Sequence, residues 1–418
     1  MASLKIEGGR ALSGRVAVEG NKNSALPLIA ACLLTDQRCE LTNVPRIRDV
    51  DVLLDLIEGV GARVEGKGTG TLRIQCERVT GDRPDPALVG RLRGSVLLLG
   101  PLLARHGSAR LAPPGGDFPA RRTILTHLDA LSALGALPLD EPGHSMHAPD
   151  GLTGASFYLD EASVTGTETA LLAAVAAKGP SEIRHAATEP HVVELCEFLQ
   201  AMGAGIEGAG TSRIRVDPPA RLTGAKHRLA GDYIEAGSWG VVAAITNGDI
   251  EVTGARSIDL EVVAAPLKRM GLNCSHDDDR LVVGPSSLTA VRRITTGLWP
   301  GFPSDLVSLV TVLATQAEGR TLVHDWLYEL RLFALEQMSG MRADLFLCDP
   351  HRIIVSGPTQ LRGRSLDSRD LRSGMALIAA ALAADGESRV APLETVERGY
   401  ANLVERLRSL GAQVERVA

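Results

Sequence analysis

Rings are scarce in this chain: aromatic residues fill only 3% of its 418 positions. Stacking the bases of a single-stranded nucleic acid takes several of them. A net charge of −6 also removes the general attraction to polyanions that could substitute for stacking. No nucleic-acid partner is expected. Long apolar runs are missing too. The longest, residues 24–34, falls well short of the roughly 20 residues that cross a bilayer. The first residues, Met1-Ala2-Ser3-Leu4-Lys5-Ile6-Glu7, form no apolar signal region. No membrane partner is expected, and the expected location is the cytoplasm. The six cysteines, Cys32, Cys39, Cys76, Cys196, Cys274 and Cys348, contain no C-x-x-C pair. Several lie inside apolar periodic runs and read as buried free thiols in a reducing compartment.

What the chain has in quantity is glycine, 44 residues of it, and small apolar side chains. Hydrophobic residues at 44% and charged residues at 22% are ordinary for a soluble globular protein. The length exceeds one comfortable core, so two domains are expected. The glycines mark a repeat. Six times an amphipathic helix runs into a small-residue turn and then a strand: at Gly59-Val60-Gly61-Ala62, Leu134-Gly135-Ala136, Met202-Gly203-Ala204, Met270-Gly271-Leu272, Met341-Arg342-Ala343 and Leu410-Gly411-Ala412. The joints recur roughly every 70 residues, longer than the common solenoid periods. Apolar residues at three- and four-residue spacing predict helices over 51–60, 124–134, 192–202, 260–270, 332–341 and 400–410. Each ends in a residue suited to a left-handed cap, except where Arg342 stands. Half a period earlier lies a small-apolar helix, as at 24–31, 170–175 and 376–381, and short β runs follow, as at 71–74 and 352–355. The class is therefore mixed α/β (α+β). Six units suggest two lobes of three with a cleft between them, the usual place for a small-molecule site.

Two motifs can be set aside. Gly203-Ala204-Gly205-Ile206-Glu207-Gly208 matches G-x-G-x-x-G, but a dinucleotide fingerprint follows a strand and opens a helix, and this one does the reverse. His144 and His147 have no evident third ligand, so no metal is expected. The basic residues near small-residue turns say more. Lys22 precedes an apolar helix, where backbone N–H groups and the dipole also favour an anion; a solvated lysine beside a cap is the competing reading. Arg93, Arg122, Arg331, Arg372 and Arg398 each read singly as surface charge. Together they suggest several guanidiniums gathered on a small, multiply charged anion. Asp305 follows a proline turn and precedes a helix, where a simple N-cap competes with a chemical role. Asp117 sits at the tip of a Gly-Gly loop and, on the residues alone, reads as an exposed turn aspartate.

Gly20-Asn21-Lys22-Asn23-Ser24, Pro114-Gly115-Gly116, Glu189-Pro190-His191-Val192-Val193, Phe302-Pro303-Ser304-Asp305, Asp370-Leu371-Arg372 and Arg398-Gly399-Tyr400 carry a resemblance to the UDP-N-acetylglucosamine enolpyruvyl transferases that runs over 4–417. It implies an inside-out α/β barrel of six repeated units in two lobes. Residues 22–230, with an active-site loop at 113–122, would form the first lobe, and 1–21 with 231–418 a discontinuous second lobe to which the first strand returns. The family moves the enolpyruvyl group of phosphoenolpyruvate to a sugar hydroxyl, with no cofactor. By resemblance Lys22, Arg93, Arg122 and Arg398 serve the phosphate, and Arg331 and Arg372 the carboxylate. Asp305 is the base beside the acceptor hydroxyl. Asn23, Arg122, Ser163, Val164 and Leu327 face the acceptor. Asp117 stands where many relatives have the cysteine that acts as acid and is alkylated by fosfomycin. A carboxylic acid raised in pKa can do the acid's work, and insensitivity to fosfomycin is expected.

The chain departs from the family pattern on the acceptor side: Phe118-Pro119-Ala120-Arg121-Arg122 after the loop tip, Glu161 in place of a frequent Lys, Thr165-Gly166 in place of Gly-Ala, and Tyr233 after Asp232. The expected partners are phosphoenolpyruvate and a uridine nucleotide sugar, in a monomer or weak homo-oligomer at the first committed step of peptidoglycan synthesis. The alternatives are transfer to another uridine nucleotide or nucleoside in specialised metabolism, or an inactive nucleotide-sugar-binding paralogue. A bare six-repeat scaffold for protein partners is poorer, since no aromatic-rich face is present.

Overall fold

A computed structural model describes residues 2–116, 123–140 and 143–418. The chain divides into two compact units. One is Gly20–Ala230, and the other joins Met1–Glu19 to Gly231–Ala418. Among the described residues each contains three small sheets, and five of the six sheets have four strands. A common pattern recurs: a parallel edge strand, a central strand, and an antiparallel hairpin beyond it. In the Gly20–Ala230 unit, for example, Ser181–Arg184 pairs in parallel with Ser156–Tyr158 and antiparallel with Arg213–Asp217, which in turn pairs with Gly205–Glu207. In the last sheet of the other unit the equivalent inner strand comes from far away in sequence. Ser3–Glu7 lies between Glu387–Ala391 and Gln413–Val417, with Leu4 opposite Val390 and Ile6 opposite Val414.

The small-apolar helices are the cores of the units. Lys22–Ala31 and Val164–Ala174 in one, and Tyr233–Ile245, Val307–Thr315 and Leu371–Ala383 in the other, are buried almost along their whole lengths. Helices buried on every side need small residues so that neighbours can approach closely. The amphipathic helices lie outside them and end at the six joints. At every joint one residue adopts a left-handed conformation: Gly61, Gly135, Gly203, Gly271, Arg342 and Gly411, with φ between 74° and 111°. The next residue then donates its N–H to the carbonyl five positions back, as in Ala62 to Ile57 at 3.0 Å and Ala412 to Leu407 at 3.0 Å. This is the Schellman closure, which satisfies carbonyls the helix itself leaves open. The G-x-G-x-x-G match is one such joint, lying between the helix Pro190–Ala201 and the strand Gly205–Glu207.

Two predicted helices differ from what forms. Over 332–341 the chain winds as a 3₁₀-helix, Arg331–Met341. The cause is visible in the spacing: the fully buried Leu332, Leu335, Met338 and Met341 are three apart throughout, which aligns on one face at 3.0 residues per turn and drifts at 3.6. The last helix begins at Leu403 rather than Tyr400, because Asn402 takes a positive φ of 49° and Tyr400 is buried in the turn before it.

The joints yield a ranked stability prediction within one unit. A Cβ on Gly271 would lie 2.0 Å from the Ser287 carbonyl oxygen, whereas one on Gly411 meets nothing within 4 Å. Gly411→Ala should carry only the left-handed penalty, about 1 kcal/mol, and Gly271→Ala clearly more. Arg342→Gly relieves that penalty at an exposed position and should be neutral or stabilising by up to about 1 kcal/mol. Denaturant midpoints of the three variants test the order. Equal losses at Gly271 and Gly411 would contradict it.

Candidate active site

In the unit that contains Gly231–Ala418, Asp305 sits in the 3₁₀ turn Ser304–Leu306 ahead of the helix Val307–Thr315, and neither start is closed by a side-chain cap. Its carboxylate is engaged by two arginines. Arg331 Nη1 donates to Oδ1 at 3.2 Å and Arg372 Nη2 to Oδ2 at 2.7 Å. Arg331 opens the 3₁₀-helix whose odd spacing was noted above, and its guanidinium lies 4.2 Å over the Tyr328 ring. Arg372 is the second residue of Leu371–Ala383, a helix capped by Asp370 through the Arg372 and Ser373 N–H groups at 2.9 and 3.0 Å. Burial alone would lower the proton affinity of both guanidiniums. The Asp305 carboxylate, together with Tyr328, Asp325 and Asp370 around Arg331 and with Tyr400 and Asp232 around Arg372, outweighs it, and both are held above their usual range. Each arginine spends one nitrogen on this carboxylate, and a guanidinium carries further N–H groups that can address an anion. Arg398, half-buried, lies in the turn after the short helix Leu393–Val396. Leu327, also half-buried, donates its N–H to Asp325 Oδ1 at 3.3 Å.

In the unit Gly20–Ala230, Lys22 is the first residue of Lys22–Ala31. Its N-cap Asn21 accepts the Asn23 N–H at 2.8 Å. The Lys22 ammonium stands 2.6 Å from Asp49 Oδ2, in the first turn of Arg48–Gly59. Sequence reasoning missed Asp49, which has no local signature beyond being acidic at a helix start. Arg93 opens a 3₁₀ turn and donates through Nη2 to the Thr123 carbonyl at 2.6 Å. Burial, and then the nearby Arg93 charge, lower the proton affinity of His144. Ser163 caps Val164–Ala174 by accepting the Gly166 N–H at 3.2 Å, and Val164 is that helix's first residue. Glu161 lies just before it and accepts from Thr126 Oγ1 at 3.4 Å. One turn into the helix, Glu168 is almost fully buried. Burial, and then the charge of Glu189, hold its carboxyl well above the usual range.

Thus Asp305, Arg331 and Arg372 are in direct contact, as are Lys22 and a carboxylate that the sequence did not single out. Asp117 and Arg122 lie outside the described residues. Among the described residues, no three His, Cys, Asp or Glu side chains are grouped to hold a metal, and no helix is long and apolar enough to cross a membrane.

Comparison with known proteins gives a consistent picture. Residues 6–407 match the family model described as EPSP synthase (3-phosphoshikimate 1-carboxyvinyltransferase). A UDP-N-acetylglucosamine 1-carboxyvinyltransferase of Bradyrhizobium diazoefficiens is 44% identical, over 99% of this chain and 97% of that protein. One from Treponema denticola is 41% identical, over 98% of each. Among solved structures, the enolpyruvyl transferase NikO from Streptomyces tendae superposes with a TM-score of 0.89 at 26% identity, covering 100% of this chain and 99% of that one. An EPSP synthase from Acinetobacter baumannii gives a TM-score of 0.78 at 19% identity over the whole of both chains, a likeness of fold.

The buried acid at Glu168 makes stability depend on pH in a definite direction. Below the ordinary carboxyl range both folded and unfolded chains hold the proton. As pH rises the unfolded chain releases it first, so the folded state loses ground until its own carboxyl ionises. Glu168→Gln cannot ionise. Its stability relative to the parent should therefore rise between about pH 4 and pH 8. Melting temperatures at the two pH values decide it, and a constant difference would show that Glu168 is not held protonated.

Proposed function

Because the chain belongs to the EPSP synthase family of enolpyruvyl transferases, we propose that it transfers the enolpyruvyl group of phosphoenolpyruvate to the 3′-hydroxyl of UDP-N-acetylglucosamine and releases phosphate. This is the first committed step of peptidoglycan synthesis, carried out in the cytoplasm. The observation that carries the reading is the Asp305 carboxylate held between the guanidiniums of half-buried Arg331 and buried Arg372, in a chain whose relatives at 44% and 41% identity bear that enzyme's name.

The chemistry calls for such a cluster. An acid protonates C3 of phosphoenolpyruvate, and positive charge develops at C2. The acceptor hydroxyl gives its proton to a base as its oxygen bonds to C2. The tetrahedral adduct then loses the C3 proton and breaks the C2–O bond to phosphate. We assign Asp305 as the base, since a carboxylate that accepts from two arginines is fixed in orientation. Arg331 and Arg372 serve the substrate carboxylate through their remaining N–H groups. Lys22, Arg93, Arg122 and Arg398 serve the phosphate, whose charge grows as it leaves. Asp49 takes up one of the three N–H directions of Lys22 and leaves the others for a ligand. Asn23, Ser163, Val164 and Leu327 line the acceptor. Asp117 is assigned as the acid at C3.

One observation favours a variant acceptor. Glu161 places a carboxylate at the start of the helix Val164–Ala174, where it would repel a diphosphate, so UMP and uridine belong in the assay beside UDP-N-acetylglucosamine. Phosphate release from phosphoenolpyruvate should be saturable in the nucleotide sugar. Release with UMP or uridine alone would move the assignment to that acceptor, and no release with any of them would sink it.

Two further outcomes are expected. Asp305→Asn should lower kcat by about 10²- to 10⁴-fold and leave nucleotide binding within roughly tenfold. Arg398→Ala should weaken kcat/KM for phosphoenolpyruvate by about 2–5 kcal/mol. Calorimetric nucleotide titration beside steady-state kinetics separates these effects, and wild-type turnover in either variant removes that residue from its role. At Asp117 the prediction concerns reactivity. A carboxylate is a far weaker nucleophile than a thiolate, so fosfomycin should leave the protein unmodified by mass spectrometry. Asp117→Cys should stay active and become alkylated, and Asp117→Asn should be nearly inactive. An adduct on the parent protein, or full activity in the Asn variant, would contradict the assignment.

A further inference from the structure

Each arginine on Asp305 is also backed by a hydroxyl, and in both cases the direction of the hydroxyl proton can be worked out. Arg331 Nη1 reaches Ser304 Oγ at 2.8 Å as well as Asp305. Ser304 Oγ lies 2.7 Å from Asp325 Oδ2. Asp325 has no exposed surface, and its other oxygen accepts from Thr296 Oγ1 at 2.8 Å and Leu327 N at 3.3 Å. A carboxylate addressed only by donors accepts the Ser304 proton, so the Ser304 lone pair is the part that faces Arg331. Asp325 is itself fixed through its backbone. Its N–H donates to the His351 carbonyl at 2.8 Å, and its carbonyl accepts from His351 Nδ1 at 2.7 Å.

Arg372 also has a hydroxyl at its side, from different residues. Its guanidinium neighbours Tyr400, a side chain with no exposed surface. The Tyr400 hydroxyl lies 2.8 Å from Ser238 Oγ, and Ser238 Oγ also lies 2.8 Å from the Ile234 carbonyl within the helix Tyr233–Ile245. A carbonyl can only accept, so Ser238 spends its one proton there. Tyr400 must then donate to Ser238 and turn its lone pairs to Arg372. The hydrogen-bond chain Asp325–Ser304–Arg331 and the pair Ser238–Tyr400 beside Arg372 therefore back the two guanidiniums that hold the two oxygens of one carboxylate.

We propose that Asp325 and Tyr400 are positioning residues for enolpyruvyl transfer, Asp325 acting through Ser304 on Arg331 and Tyr400 acting directly on Arg372. The proposal rests on the reaction assigned above. Two like charges converge on one small anion, and each guanidinium has enough side-chain freedom to turn toward another acceptor. The lone pairs of Ser304 and Tyr400 hold them on Asp305 and leave their outer N–H groups in a fixed direction. If Arg331 swings away, the substrate carboxylate loses an aligned partner, and Asp305 loses a neighbouring cation that favours its ionised form.

The test uses the full chain, the phosphate-release assay from pH 5 to 9, and melting temperatures for Ser304→Ala, Asp325→Asn and Tyr400→Phe. Each variant should lower kcat/KM for phosphoenolpyruvate by about 10- to 100-fold, with KM for the nucleotide within about twofold. In Ser304→Ala and Asp325→Asn the acid limb of the pH–rate profile should move to higher pH, a change that a simple loss of folded protein would not produce. Ser304→Ala combined with Asp325→Asn should be little worse than the weaker of the two alone, since they interrupt one chain, while Ser304→Ala combined with Tyr400→Phe should multiply. Ser304→Ala removes a single oxygen and carries the same prediction should Asp325→Asn unfold. An active parent whose folded variants keep its pH profile and its kcat/KM overturns the proposal alone. A parent that releases no phosphate with any acceptor overturns the reaction assignment and this proposal with it.

Discussion

A lone buried guanidinium is costly, and two beside each other are more so. The effective penalty is several kcal/mol per ion, and the Asp305 carboxylate is what makes the pair tolerable. Each of its oxygens takes one arginine, so neither guanidinium is left with only its like-charged neighbour. Much of the local architecture follows from holding that triad. The 3₁₀-helix Arg331–Met341 and the helix Leu371–Ala383 both begin at it. The turn Ser304–Leu306 presents the carboxylate without using it as a cap. Both arginines spend one nitrogen on Asp305, so each keeps further N–H groups beyond this contact.

The basic residues of the unit Gly20–Ala230 are also held before any ligand is present. Lys22 is paired with Asp49 and Arg93 is tied to the Thr123 carbonyl. Long cationic side chains lose rotamer freedom when they bind, and anchoring them beforehand moves that loss into folding. The start of Val164–Ala174 is treated differently. Glu161 stands just ahead of it, so this helix start is less hospitable to negative charge than a bare one.

The sequence made some of this visible and hid the rest for physical reasons. The six joints were legible because a left-handed residue after an apolar helix restricts the choice of side chain, and glycine fills five of the six places. The Arg342 joint was found by its position alone. The 3₁₀ winding of Arg331–Met341 was hidden because three-residue and four-residue spacings look alike over one turn and diverge only over three. Asp305 was visible as a site candidate yet could not be separated from an N-cap, since both readings need the same residue ahead of a helix. Asp49 and Asp325 were not visible at all. Their partners, Lys22 for the one and Thr296 and Ser304 for the other, are more than twenty residues away in sequence, and only the fold brings them together. Asp117 and Arg122 were named on resemblance and stand outside the described residues.

The placement of the strand Ser3–Glu7 sets an order of events at the ribosome. Its two sheet partners, Glu387–Ala391 and Gln413–Val417, emerge roughly 380 and 410 residues later, which at about 5–20 residues per second is roughly 20 to 80 seconds of translation. During that interval the unit Gly20–Ala230 has all of its own strands and can fold. The nascent first strand, alternating apolar and polar along its length, must wait unpaired beside it. An edge in that state is a pairing hazard between neighbouring nascent chains. Synthesis rate, temperature and chaperone supply would therefore bear most heavily on the unit that starts first and finishes last.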